Sequence, residues 1–261
     1  AVATGIAGIM IQRAYVHARQ ATQQYIDEIR DERQEMFASQ LQTASRNLQQ
    51  TATLISREQR VRQLYDQTRR AIYSEGGGAG GARAHEYRQQ LLEHLQQRWS
   101  VVMRDYGLRQ LHFYCTPGTI SLLRVHAPNK FGDDLTDIRH TVVEAMRTGK
   151  PVMGFELGRR YAGLRGVIPL YETQRDEQRG ARAVVGALGV GRNLDAPLQQ
   201  LARTTQSHFA VLVRKSRVDR AMWQDVKQAW LESEPPIQGH VIESTTNPRV
   251  RDLVQQRAVE Q

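Results

Sequence analysis

Apolar residues between positions 11 and 55 recur at helical spacing: Ile11, Tyr15, Ala18, Tyr25, Ile29 and Met36, then Leu41, Ala44, Leu48 and Ile55. No glycine lies between Gly8 and Gly76, and no proline precedes Pro117, so the usual helix breakers are missing from this stretch. The residues between the apolar positions are mostly Gln, Arg, Glu and Ala, which form helices readily. The apolar stripe is narrow and slips in phase near residue 37, a pattern suited to a two-helix seam more than to a globular core face. Some sixty helical residues would extend about 90 Å, far beyond a small domain's diameter. The pattern therefore predicts a stalk helix that also mediates dimerisation; the plainer alternative is one long helix broken into two.

The run SEGGGAGG at 74–81 ends that helix and reads as a mobile surface loop, because glycine loses too much chain entropy in a helix interior. A second helix follows at 84–106, with Tyr87, Leu91, Leu95, Trp99, Val102 and Met103 on one face and Gly107 as its stop. It should pack antiparallel on the first. From Leu108 the periodicity changes to that of strands: 111–115 and 121–126, joined by the turn Thr116-Pro117-Gly118-Thr119. A helix at 134–148 points Leu135, Ile138, Val142, Val143 and Met146 inward and stops at Gly149. Strands are predicted at 152–157, 163–171 and 183–190, with a polar hairpin loop at 172–182 between the last two. This succession predicts an α+β fold, a mixed, mainly antiparallel sheet with helices on one side. After a connecting helix at 196–207 come a strand (208–213), a helix (218–231), a strand (239–244) and a helical tail from Arg249.

Composition adds a charge question. The 261 residues carry a formal net charge of +9, almost all of it from arginine, since lysine occurs only at Lys130, Lys150, Lys215 and Lys227. Such an excess suggests a polyanion partner, and a basic nucleic-acid-binding protein with a helical dimerisation arm is the rival reading. The arginines are, however, interleaved with Asp and Glu, as in Asp27-Glu28-x-Arg30-Asp31-Glu32-Arg33, which reads as a solvated, salt-bridged helix face and predicts no nucleic-acid partner. One cysteine, Cys115, excludes an internal disulfide and a four-thiolate zinc site. The eight histidines are scattered without a His-x-x-x-His pair, so no metal is expected. Gly186-x-x-Gly189-x-Gly191 has the wrong spacing for a dinucleotide loop, and Gly76 to Gly81 lacks the lysine of a phosphate loop. No cofactor and no enzymatic activity are expected. The uncharged start at 1–11 is too short to span a membrane, which needs about 20 apolar residues, but fits the end of a span.

One run carries a family resemblance: Leu123-Arg124-x-His126, Phe131-Gly132-Asp133-Asp134-Leu135, Arg139, Lys150-Pro151, Gly154-x-Glu156 and Leu164-Arg165-Gly166-Val167-x-Pro169. It resembles the membrane-distal module of a double Cache domain of the third type, the extracytoplasmic sensor region of bacterial chemoreceptors, sensor histidine kinases and diguanylate cyclases. The resemblance implies a PAS-like sheet and a small-molecule ligand such as an amino acid or a carboxylate. It also implies a periplasmic portion of an inner-membrane protein, anchored in the membrane and dimeric through the N-terminal helix. The output domain, with a cyclase or chemoreceptor favoured, would lie outside this chain. The organisation expected is span end and stalk (1–73), glycine loop (74–83), second helix (84–106), distal module (107–192), connecting helix (193–207) and an incomplete proximal module (208–261).

Charged residues on strands that otherwise face a core are the candidate ligand contacts, because unpaired burial is expensive. Arg124 and His126, two apart, should share one strand face, as should His112 and Tyr114. Glu156 stands among Val152, Phe155 and Leu157, and Arg165 between Leu164 and Val167. Arg139 lies on the helix after the Gly-Asp-Asp turn. A guanidinium at Arg124, Arg139 or Arg165 would grip a carboxylate through its planar fork, and Glu156 would receive an ammonium. The alternative is that Glu156 and one arginine form a structural ion pair while Asp133 caps the following helix.

Overall fold

The structure, a computed structural model, describes residues 2–160, 162–172, 182–233, 239–250 and 252–253. The expected hairpin loop at 172–182 and the end of the helical tail therefore lie largely outside the described residues. The chain divides into two compact units, 1–42 and 43–261. The first is helical from Val2 onward and belongs to α1 (Val2–Arg57), with Arg30 paired to Asp27 at 2.8 Å and to Asp31 at 3.0 Å on its surface. No described helix is long and apolar enough to cross a membrane.

In the second unit, α1 buries Ala44, Leu48 and Ala52, one residue per turn. The helix runs unbroken through residue 37, where the stripe slips, and is interrupted instead at Glu58, which is extended (φ −65°, ψ 125°) before α2 (Gln59–Ser74) begins. Packing explains the position. In an unbroken helix Val61 would lie about half a turn round from Ala52. The extended residue re-aims α2 so that Val61, Leu64 and Tyr65 are buried. The Glu58 carboxylate is held by His94 Nε2 (2.5 Å) and Arg98 Nη2 (3.1 Å) of α3 (Ala82–Tyr106), which returns along α2. Burial pushes the Glu58 carboxyl up, but the hydrogen bonds from Arg98 and His94 outweigh it and the net shift is downward. The glycine segment between α2 and α3 is met by a side chain of α3. Arg88, 1% exposed, donates to Ala79 O (2.8 Å) and lies 3.5 Å over the Phe131 ring.

Five strands follow: β1 (Gln110–Cys115), β2 (Ile120–Arg124), β3 (Val152–Leu157), β4 (Ala162–Tyr171) and β5 (Val184–Arg192). They form one sheet in the order β2-β1-β5-β4-β3, and every pairing is antiparallel. Helices cover both faces, not one as the pattern suggested. On one face Tyr65 stacks near Phe113 (centroids 6.0 Å apart) and its hydroxyl donates to Tyr114 O (2.8 Å), while α1 crosses at Gly166, where a Cβ would strike the Leu48–Gln49 backbone. On the other face Tyr114, Val167 and Ala187 pack against Val142 and Ala145 of α4 (His140–Thr148). β4, buried between the two layers, shows no polar alternation for the same reason.

The helix predicted from residue 134 starts only at His140. Residues 132–135 are first bonded to the β1–β2 hairpin, through Gly132 N to Ser121 O, Ser121 N to Asp133 O and Leu135 N to Thr119 O. Asp134 accepts from Thr136 N (2.9 Å) and so caps a turn, and Asp133 does not cap the helix. Beyond β5, α5 (Asp195–Thr205) leads to β6 (Ala210–Arg214), α6 (Lys215–Ala221), α7 (Gln224–Ser233) and β7 (His240–Thr245). β6 and β7 pair antiparallel, the two strands expected of this segment. Val213, Val218, Met222 and Val241 make a small core that also takes in Leu157 of β3. The single helix expected at 218–231 is split because Trp223 N donates to Arg159 O (3.0 Å) between α6 and α7.

A cation-lined candidate site

Strand register assembles the site. One row across the sheet reads Gly154, Arg165, Gly191 and Gln110, and the next reads Val152, Val167, Gly189, His112 and Arg124. All face the α4 side. The fit at Gly191 is close: a Cβ there would lie 3.0 Å from Arg165 Nη1 and 3.2 Å from Gln110 Oε1, so the guanidinium packs tightly against the strand. At Gly189 the Tyr114 ring lies at ordinary contact distance, 3.4 Å from where a Cβ would be.

Arg139, at the N-cap position of α4, reaches under this layer and meets Glu156 and Arg165. Glu156 Oε2 lies 3.3 Å from Arg165 Nε and 3.6 Å from Arg139 Nη1, and Oε1 accepts from Thr141 N at 2.7 Å. One carboxylate thus serves two guanidiniums and caps α4, with all three side chains at least nine-tenths buried. Arg139 Nε and Nη1 make no hydrogen bond among the described residues. Glu156 Oε2, like those two nitrogens, makes no hydrogen bond among the described residues, its contacts with the guanidiniums being ion pairs.

Arg124 grips Asp133 through both nitrogens (2.7 and 2.8 Å) and donates to Lys130 O (2.6 Å). Burial pushes the Asp133 carboxyl up, yet the Arg124 hydrogen bonds hold it below its ordinary value. β2 ends at Arg124, so His126 sits in the following turn and not on the strand, with its Nδ1 3.2 Å from Leu111 O. Burial lowers its pKa to about 4, and His112, bonded to Ser121 Oγ (2.8 Å), is held well below its ordinary value mainly by burial. Both imidazoles are neutral at neutral pH. The His112 and Tyr114 rings stack with centroids 3.9 Å apart, and burial raises the Tyr114 pKa.

A cavity of about 460 Å³ opens beside this cluster, lined by Arg109, Gln110, Arg124, His126, Lys130, Arg139, Arg159 and Arg160, with Met103 of α3 and Trp223 and Val226 completing it. No acidic residue is among those lining it. Of the seven residues singled out from sequence, Arg124, His126 and Arg139 line the cavity, whereas His112, Tyr114, Glu156 and Arg165 form the layer beneath. Gln110, Lys130, Arg109, Arg159, Arg160 and Trp223 were not foreseen. The Arg159-Arg160 pair between two predicted strands was a visible signal; nothing local marked Trp223. Among the described residues no three His, Cys, Asp or Glu side chains converge to hold a metal.

A five-stranded antiparallel sheet between a long helical pair and a covering helix, with a buried arginine cluster on the inner face, is the architecture of a small-molecule sensor domain. The chain belongs to the dCache_3 family, described as a double sensory domain of two-component sensor kinases, whose model matches residues 30–256. Domains of this family are sensory. Among solved structures, the sensor domain of the V. cholerae histidine kinase DctB is 16% identical with a TM-score of 0.49, over 73% of this chain and 65% of that one. The E. coli DcuS sensor domain is 11% identical with a TM-score of 0.42, over 65% of this chain and 99% of that one. The ligand-binding domain of the P. aeruginosa amino-acid chemoreceptor PctC, in complex with GABA, is 12% identical with a TM-score of 0.36, over 69% and 68%. No curated protein is significantly similar to the chain in sequence.

Proposed function

We propose that this chain is the periplasmic sensing region of a bacterial transmembrane receptor and that its ligand is a small carboxylate-bearing molecule held in the cation-lined cavity. The observation that carries the reading is Arg139. Its guanidinium is 5% exposed, shares one carboxylate with Arg165, and keeps Nε and Nη1 without a hydrogen bond. Buried donors of this kind are costly unless something accepts from them, and a carboxylate matches the guanidinium fork. A carboxylate is favoured over an α-amino acid because no acidic side chain lines the cavity to receive an ammonium.

Ligand binding would favour one arrangement of the sheet and its flanking helices over another. The change would pass through α1 to an output domain outside this chain, a diguanylate cyclase, chemotaxis or histidine kinase module. Exposed Tyr15, Tyr25 and Ile26 on α1 support dimerisation through that helix. In this reading residues 107–192 are the distal module and 208–261 the proximal one.

A thermal-shift screen of amino acids, carboxylates, amines and nucleobases tests the proposal. A ligand at a hundred times its Kd should add about 2.7 kcal/mol, or roughly 5–10 °C in Tm. If no compound moves the midpoint, or if binding survives Arg139→Gln unchanged, the cavity is not the sensing site.

A further inference from the structure

The helical layer on the face of the sheet opposite α4 has a gap. α1 buries Ala52 and α2 next buries Val61, and none of residues 53–60 between them is buried. Two contacts pin the layer to the sheet on either side of this stretch. A Cβ at Gly166 of β4 would strike the Leu48–Gln49 backbone, and one at Gly186 of β5, which pairs with Leu170, would strike the Tyr65 hydroxyl. Between them the chain is extended at Glu58, so the helices do not settle onto the sheet. The strand beneath reflects this. Ile168 and Leu170 keep 6 and 9% exposure, whereas Leu188 and Val190 on the same face keep none.

The gap is a cavity of about 440 Å³, within the roughly 300–1,000 Å³ of small-molecule sites. Val61, Phe113, Ile168 and Leu170 give it an apolar lining. Its hydroxyl protons are already used by the protein. Thr53 Oγ1 donates to Gln49 O (2.8 Å), Ser56 Oγ to Thr53 O (2.9 Å), the Tyr65 hydroxyl to Tyr114 O (2.8 Å) and the Tyr171 hydroxyl to Gly149 O (2.5 Å). Pro151 and Pro169 bring no N–H. Of the two acids, Asp66 is held at both oxygens by Arg69 and Arg70, each at 3.0 Å, and Glu172 faces Arg69 at 3.6 Å. Arg57 and Arg62, one on each side of the break, line the cavity and pair with no carboxylate among the described residues, and Arg182 adds a third cation. The side-chain donors left for a ligand are therefore guanidiniums, while a ligand cation would compete with arginines already in place.

We infer that this cavity is a second binding site, for a small organic anion with an apolar body, such as an aromatic or short-chain monocarboxylate. The body rests on Phe113, Ile168 and Leu170, where the helices supply no buried side chain, and the carboxylate is held by Arg57 and Arg62. One guanidinium belongs to α1 and the other to α2, so the anion bridges the break between them. The site lies across the sheet from the cation-lined cavity and needs nothing from it.

The experiment is a calorimetric titration of the full chain with phenylacetate, octanoate, acetate, phenylacetamide and phenethylamine. Phenylacetate or octanoate should bind at least tenfold tighter than acetate, which lacks the body, and than the amide and the amine, which lack or reverse the charge. The double variant Arg57→Gln/Arg62→Gln changes only exposed positions and should fold, and it should weaken that binding at least tenfold. Arg139→Gln, in the other cavity, should leave it within twofold. The inference is overturned if neither phenylacetate nor octanoate binds, if acetate, the amide or the amine binds as tightly as they do, or if the double variant binds them unchanged. It is also overturned if Arg139→Gln abolishes the binding, a result that would put these anions in the cation-lined cavity and support the proposed function. Conversely, binding that needs Arg57 and Arg62, together with a thermal screen that yields no Arg139-dependent ligand, would remove the proposed function and leave this site standing.

Discussion

Replacing Glu156 with glutamine isolates the charge on which the buried cluster depends. The side chain keeps its length and an acceptor for Thr141 N, so the cap on α4 survives and only the negative charge is lost. At 3.3 and 3.6 Å, each ion pair is worth about 5 kcal/mol of gross attraction at an effective dielectric constant near 20. Most of that gain is offset by the cost of desolvating three ions. What the variant leaves is the costly state, two guanidiniums buried beside each other without a counterion, and breaking a buried pair this way costs about 3–5 kcal/mol. Glu156→Gln should therefore lose that amount in urea denaturation, and its Tm should fall by roughly 10 °C. Glu156→Ala should lose about 1 kcal/mol more, because the cap goes as well. Citrate should recover more stability in Glu156→Gln than in the unaltered protein, since the added anion replaces the missing charge. A loss below about 1 kcal/mol in Glu156→Gln would refute the argument, because buried guanidiniums without a counterion cannot be that cheap.

Protonation gives two opposing pH dependences. His126 has its pKa lowered from 6.5 to about 4, so its contribution is complete above pH 6.5 and is lost as pH falls through about 4; His126→Gln should flatten that slope, worth roughly 3 kcal/mol, in denaturation curves at pH 7 and 4. Glu243 behaves oppositely: burial and then Asp195 raise its pKa from 4.5 to about 8, against Arg109 and a bond from the Ala162 backbone. Its contribution is complete below about pH 4.5 and is lost as pH rises through 8, so Glu243→Gln should gain stability over the unaltered protein at pH 9 and not at pH 4.5. Gly186→Ala would drive a Cβ into the Tyr65 hydroxyl and Tyr114 O and should cost about 1–3 kcal/mol, while Gly80→Ala, which meets nothing within 4 Å, should leave the urea midpoint unchanged.

Periodicity in the chain was enough to place the long helices, the five strands of the main sheet and the two of the later segment, because each depends on which local residues can share a face. β3, read at 152–157, forms over those same residues. Arg124, Arg139, Glu156 and Arg165 stood out for a local reason too, as charges where a core face was expected. The interruption at Glu58 was not legible: no glycine or proline marks it, and it is held by His94 and Arg98, about forty residues away in sequence, and by the need to turn α2 onto the sheet. The late start of α4 had the same kind of cause, since residues 132–135 bond to a hairpin before they can join a helix. The character of the cavity was decided by tertiary structure alone. A sequence shows how many charges a chain carries, but only the fold decides that Asp133 is consumed by Arg124 and Glu156 by two arginines, while Lys130, Arg159 and Trp223 arrive from separate segments to close the space beside them. Local patterns decide which residues are buried, and the pairing of buried charges depends on distances of a few ångströms between parts of the chain far apart in sequence.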